Sequence, residues 1–338
     1  MSNRRLELIK KIEQMRSSKI LAYATGDRPP FTTQIAGDAM RIVQKHLDSI
    51  GMQETIGLFL YSAGGDMITP LRLVRLIREY CKYFQVLVPY RAHSAATLIC
   101  LGADKLVMGK LAELSPVDPT TAHPFNPVDP TDPQKNKKVP ISVEDVTSYF
   151  LFAKERACIR DEQMVNIFNE LTNKIHPLAL GNIYRGHRMI RMLAKRLLLL
   201  HLNEDKDRHR IEETIKKLTE ELCIHGYLIS REEAQKELGL DIEKPDNQLE
   251  SLMWNLYKEY ETDMELTVPF DPIGLLSGQP AKTLSYHGAY IESVYGTDRF
   301  VFNVEIKLMV GPSGRPEPMI NVTSPPRWEE VNKQEKGV

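Results

Sequence analysis

A chain of 338 residues, 42% hydrophobic and 26% charged, is ordinary for a globular protein and long enough for one large core plus an extension, or for two domains. A net charge of −1 supplies no global field for nucleic acid, which is set aside as a partner. Cys81, Cys100, Cys158 and Cys223 stand singly, without C-x-x-C or metal-ligand spacing, so reduced thiols, no metal and a cytoplasmic setting are expected. The N-terminus lacks the apolar core of a secretory signal. The most apolar stretch, Met189–Leu202, is too short to span a bilayer and carries Arg191, Lys195 and Arg196.

Residues 4–17 predict an amphipathic helix with Leu8, Ile12 and Met15 inward, followed by a strand over Lys19–Ala24 and a turn over Thr25–Pro30. A helix is expected over Ile35–Ile50, burying Ala39, Val43, Leu47 and Ile50. Ile56–Tyr61 is an apolar run without charge, as in a strand buried on both faces, and it ends in Ser62-Ala63-Gly64-Gly65. Paired glycines there can present bare backbone N–H groups at a helix N-terminus. Met67–Lys82 reads as that helix, with Leu71, Val74, Ile77 and Cys81 inward; Pro70 fixes its start near Asp66. Phe84–Val88 is the next strand, closed by Pro89, and Arg91-Ala92-His93-Ser94-Ala95-Ala96-Thr97 opens a second helix. Alternation of strand and helix predicts an α/β fold with a parallel sheet, whose ligands bind beyond the carboxyl ends of the strands.

A serine at the head of a helix that follows a buried strand has the geometry of a nucleophile elbow. The next N–H, that of Ala95, and the N–H of Gly65, 29 residues before Ser94, could then hold an oxyanion. The same residues also read as a plain N-cap and a tight turn.

Seven prolines in the 29 residues from Ala112 to Pro140 exclude helix and central strand, leaving a wall or lid at Ser115–Thr120 and a linker at Asp129–Lys138. Residues from Ser142 to Leu202 read as helical, with a near-capping pattern at Ser142 and a break at Lys174–Pro177 and Gly181 between two long helices. The second helix has a basic face (Arg185, Arg188, Arg191, Lys195), and no acid occurs between residues 171 and 203. Two readings stand: a surface for a membrane or acidic partner, and a solvated face whose counter-charges lie elsewhere in the fold. Residues 208–222 predict another helix, ending at His225-Gly226, and Ser230 with Glu233 forms a capping box. Leu284–Tyr295 and Arg299–Val310 read as a β-hairpin, and residues 311–338, with five prolines, as a loose tail.

The stretches SAGG, HSAAT, LGADKLVMGKLAELSPVDP and LTEELCIHGYLISREEAQKELGLDIE resemble the serine dehydrogenase proteinase family over roughly residues 5–245. That family is related to the Clp protease proteolytic subunit and to signal peptide peptidase A. The resemblance implies a Clp/crotonase-like parallel sheet with a helical extension and a small C-terminal β-hairpin region. The expected boundaries are 1–142 for the core, 143–205 for the extension, 206–264 for a helical return and 265–338 for the hairpin and tail.

It also implies a serine endopeptidase without cofactor, acting on peptides or unfolded protein. The catalytic residues carried over are Ser94 as nucleophile, Asp118 and His225, with an oxyanion hole at Gly65 and Ala95 beside Gly64. A histidine base suits proton acceptance and return near neutral pH. His123, and Lys135, Lys137 or Lys154 in a Ser–Lys dyad, stay open as rival bases; His93 adjoins Ser94 and ranks below them. Expected partners are a peptide or protein substrate and further copies in a homo-oligomer, with a membrane surface or regulatory protein as an additional class. A crotonase-type thioester enzyme and a non-catalytic scaffold are the alternatives on the same fold.

Overall fold

The computed structural model describes residues 3–117, 123–129, 131, 137–222, 226–310 and 316–331. These divide into two compact units: residues 1–114 with 229–338, and residues 115–228.

The first unit opens with helix α1 (Asn3–Arg16), strand β1 (Lys19–Thr25), helix α2 (Met40–Ile50), strand β2 (Gln53–Tyr61), helix α3 (Thr69–Arg78) and strand β3 (Cys81–Val88). The short strand β4 (Arg91–Ala92), helix α4 (Ala95–Leu101), strand β5 (Lys105–Met108) and the two-residue strand β6 (Glu113–Leu114) complete its first segment. The parallel strands are buried almost without interruption, as their unbroken apolar runs require. Two expectations are corrected here. Helix α2 begins only at Met40, behind a 3-10 turn at Gly37–Ala39, because Ile35 pairs with Gly65 instead. Cys81 begins β3 rather than ending α3: its spacing from Ile77 fits a helix, but it pairs with Gln53 of β2.

Residues 115–228 hold helices α5 (Val143–Leu151), α6 (Met164–Lys174), α7 (Pro177–Leu198) and α8 (Arg208–Lys216). Ser142 makes a complete capping box, with Asp145 supplying the reciprocal carboxylate that the sequence reading found missing. The expected break falls at Ile175–His176, and the helical region is interrupted once more at residues 157–160. Gly181 lies inside α7, where the cost of about 1 kcal/mol for a helical glycine is tolerated once Pro177 and the His176 ring start the helix. Beyond Lys216 the expected helix continues as one π-helical turn, Lys217–Glu221. The counter-charges of the basic face come from later in the chain: Arg191 pairs with Glu220, and Lys195 lies 2.7 Å from Glu204.

The chain returns to the first unit through β7 (Ile229–Ser230), α9 (Arg231–Lys236, opened by the expected Ser230–Glu233 capping box), β8 (Ile242–Glu243), α10 (Asn247–Asp263) and α11 (Pro272–Leu276). Strands β9 (Ala281–Ser293), β10 (Gly296–Val310) and β11 (Pro316–Glu330) follow. The hairpin turn is Val294–Tyr295, ahead of the break expected between Tyr295 and Arg299. The expected loose tail contains a 15-residue strand. Its prolines are accommodated because β11 is the outer strand of the sheet, where a missing N–H breaks no second ladder.

The large sheet runs β11-β10-β9-β1-β2-β3-β5-β8. Pairings from β1 to β8 are parallel, and the three C-terminal strands join antiparallel at β1. One core binds α1 and α10 to it: Leu8, Ile9 and Ile12 of α1 meet Leu249, Met253, Leu256 and Tyr260 of α10 over β1 and β2. Fully burying each such side chain contributes about 1.5–3 kcal/mol. Within this core Arg5, 4% exposed, donates to Glu292 at 3.0 Å and to Asp263 at 2.7 Å. Tyr260 and Thr297 donate to the same Glu292, so the buried charge is partnered throughout.

Candidate active site

Parallel pairing of β2 with β3 brings their carboxyl ends to one edge, so Gly64–Gly65 after β2 and Ser94 after β3 meet there. Past the end of β2 the chain keeps pairing. Ser62 N–H donates to Arg91 C=O and His93 N–H donates to Ser62 C=O, both at 3.0 Å. Ser62 is fully buried; its hydroxyl accepts from Thr25 at 2.7 Å and from Gly64 N–H at 3.0 Å, which fixes the glycine turn.

Both glycines are required. Gly64 has φ 122°, and a Cβ there would sit 3.0 Å from Ser94 Cβ and 3.2 Å from His93 C=O. Gly65 has φ 155°, and a Cβ would fall 2.1 Å from Ile35 C=O. Ile35 N–H donates to Gly64 C=O at 2.9 Å, and Asp66 N–H donates to Ile35 C=O at 2.8 Å. These bonds bypass Gly65 N–H. Asp66 lies three residues ahead of α3 and accepts from the N–H groups of Ile68 (3.1 Å) and Thr69 (3.2 Å). Burial would raise the Asp66 carboxyl, but the bonds from Thr69 and Ile68, with Arg72 nearby, hold it below the usual range.

Ser94 has φ 50° and ψ −110° and stands at the head of α4 without making a side-chain cap bond. The plain N-cap reading therefore fails, because a capping serine is extended and accepts from the first turn. A non-glycine residue in this region costs on the order of 1–3 kcal/mol and persists only where its surroundings enforce it. Here they do so: Gly64 packs on its Cβ, its carbonyl accepts from Leu98 at 3.1 Å, and Ala96 donates to His93 C=O at 2.9 Å. Among the described residues no acceptor takes the N–H of Ala95 or of Gly65.

Beside the elbow lies a charged cluster that the sequence reading did not anticipate. Arg91 reaches Asp27 at 3.1 Å and Glu113 at 3.3 Å, and donates to Tyr90 Oη at 2.8 Å. His93 Nε2 is 3.2 Å from Glu113 Oε1, close enough for an ion pair but outside hydrogen-bonding angles. Burial pushes the His93 imidazole below its ordinary value, against the pull of Glu113. His93 is thus turned to Glu113.

Asp118 and His225 lie outside the described residues, as does Lys135. Of the rival bases, His123 Nδ1 accepts from Phe125 N–H at 3.3 Å, and Lys154 lies 3.0 Å from Asp161; with Lys137 they belong to the 115–228 unit.

Away from Ser94 the fold contains a Ser–His–Asp alignment that no sequence pattern announced. His46 of α2 pairs through Nδ1 with Ser293 Oγ at 2.8 Å and through Nε2 with Asp298 at 3.0 Å. Ser293 is 0%, His46 2% and Asp298 4% exposed, so no substrate reaches them. They clamp α2 to the β9–β10 hairpin.

The α/β sheet thus presents a strained serine at a helix head, beside two backbone N–H groups that no acceptor among the described residues takes. Residues 1–178 match the ClpP-like SDH-type serine proteinases, and the chain belongs to that family. Two uncharacterised proteins of Methanocaldococcus jannaschii are related to it. One is 26% identical over 205 residues, covering 60% of this chain and 59% of its own; the other is 25% identical over 122 residues, covering 34% and 42%. The chain thus spans about three-fifths or less of the length of these relatives. Among solved structures, a membrane-bound stomatin-specific protease in complex with a substrate peptide is 14% identical, with 64% of this chain and 74% of that one covered and a TM-score of 0.35. The ClpP protease catalytic domain from Plasmodium falciparum is 13% identical, with 73% and 93% covered and a TM-score of 0.36. At these scores the likeness stops short of superposing the sites. No helix among the described residues is long and apolar enough to cross a membrane.

Proposed function

We propose that the chain is a serine endopeptidase that cleaves peptide bonds in peptides or unfolded polypeptides through an acyl-enzyme. The observation that carries this is the backbone of Ser94, held at φ 50° at the head of α4 with its side chain excused from capping. Ser94 Oγ attacks the scissile carbonyl, and the N–H groups of Gly65 and Ala95 hold the oxyanion. His225 takes the serine proton and returns it to the leaving amine, while Asp118 orients the imidazole and stabilises its charged form. The buried free thiols of Cys81 and Cys100 are in keeping with a reducing, cytoplasmic setting, and several copies are expected to assemble so that access to the site is restricted.

A fluorophosphonate probe tests the reading directly. Stoichiometric labelling of the wild type, lost in Ser94→Ala and in His225→Ala, is the expected result. Labelling that survives His225→Ala moves the base to His123 or a lysine. Absence of labelling under all conditions would leave the thioester enzyme or the scaffold as the better account.

A further inference from the structure

On the first unit, the three C-terminal strands and the segment preceding α2 enclose a cavity of about 290 Å³. Its inner wall is aromatic. Ala289, Phe300 and Trp328 are register partners across β9, β10 and β11, and Phe302 follows on β10. The Phe300 ring meets that of Phe302 at 5.4 Å and 70°, and that of Trp328 at 5.5 Å and 77°. Three rings at steep mutual angles present both faces and edges to one space.

The rim is acidic. Asp38, on the cavity wall, accepts a hydrogen bond from Trp328 Nε1 at 3.0 Å. Among the described residues this is its only hydrogen bond, and no cation pairs with it. Arg327, the basic residue nearest in sequence to Trp328, is taken by Glu329 at 2.8 Å. Rings beside an unpaired carboxylate make the environment that recognises an organic cation, by ring quadrupole and by charge.

The cavity is also close to the oxyanion glycine. Ile35 bridges Gly65, while its neighbours Gln34 and Ala36 line the cavity. The bridge sets Ile35 one strand spacing, about 5 Å, from Gly65, so the segment that lines the cavity also borders the glycine turn.

We propose that this cavity is an exosite for a lysine or arginine side chain of the polypeptide that the enzyme cleaves. The identity of the polypeptide as substrate rests on the peptidase reading; capture of the cation does not require Ser94.

The test uses the full chain carrying Ser94→Ala and Trp254→Phe, so that Trp328 is the remaining tryptophan. It is titrated with an unstructured peptide bearing one lysine and with the same peptide acetylated at that lysine. The lysine peptide is expected to shift Trp328 emission and to bind about tenfold or more tightly than the acetylated one. Asp38→Asn, which can still accept from Trp328, is expected to erase that preference, and Phe300→Leu to reduce it while apolar volume is kept. Equal binding of the two peptides, or binding by anisotropy with no change at Trp328, would overturn the proposal. Probe labelling of wild-type Ser94 is read separately. Lysine selectivity in a chain whose serine never labels would overturn the assignment to substrate and leave a cation site.

Discussion

At Ser94 the backbone is held where a serine is least comfortable, and two glycines are spent holding it there. Ser94→Gly should therefore raise the free energy of unfolding by about 1 kcal/mol in urea denaturation while abolishing probe labelling. A variant no more stable than wild type would mean that the conformation is not strained and that the elbow reading has lost its main support. Gly64→Ala works in the opposite direction. Its Cβ, 3.0 Å from that of Ser94, displaces the serine side chain by a few tenths of an ångström or more. Labelling or peptidase rates should fall by about a hundredfold, since misplacement on this scale is costly to attack geometry. Rates within twofold of wild type would show that Gly64 is only a turn residue.

Among elements, α2 and the β9–β10 hairpin are joined by His46, Ser293, Asp298 and Lys45. Burial alone would raise the Asp298 carboxyl, but the bonds from His46 and from Lys45 at 2.7 Å hold it below its ordinary value of 3.8. A carboxyl lowered in the folded state stabilises that state above its unfolded value and ceases to do so as pH falls through the folded one. Asp298→Asn should thus destabilise the protein at pH 7, and the difference from wild type should shrink as pH drops below about 4. A difference that stays constant from pH 7 to pH 3 would assign the clamp to packing rather than charge. The basic face of α7 belongs to the same scale: two of its four cations, Arg191 and Lys195, take their counter-charges from the later residues Glu220 and Glu204.

For the whole molecule, the two units differ in how much they bury. The first is built on a sheet whose parallel strands are almost wholly covered, whereas α5 and α6 of the second contribute no buried residue. Amides of α5 and α6 should exchange with solvent at a markedly lower free energy than those of β2 and β3, and denaturation followed by different probes should not coincide. One coincident transition, with equal protection in both units, would contradict this.

Local chemistry was legible in the chain itself: the buried strands β1, β2 and β3, the glycine turn after β2, the serine at the head of α4 and the Ser230 capping box. In each the signal lies within a few neighbouring residues, as an apolar run, a glycine pair or an S-x-x-E spacing, and the physical cause is equally short-ranged. The nearness of Gly64–Gly65 to Ser94 was legible for a related reason, since parallel strands joined by one helix must bring their carboxyl ends to the same edge. Only the tertiary structure decided the rest. Cys81 is a strand residue because Gln53 is there to pair with it. The proline-rich tail is a strand because β10 offers an outer edge. Arg5 is buried because Glu292, 287 residues away, accepts its charge. Asp38 acquires aromatic neighbours from β10 and β11, which no pattern in residues 26–50 implies. Contacts between distant segments depend on which surfaces are left uncovered once the local elements form, and local periodicity carries no record of that.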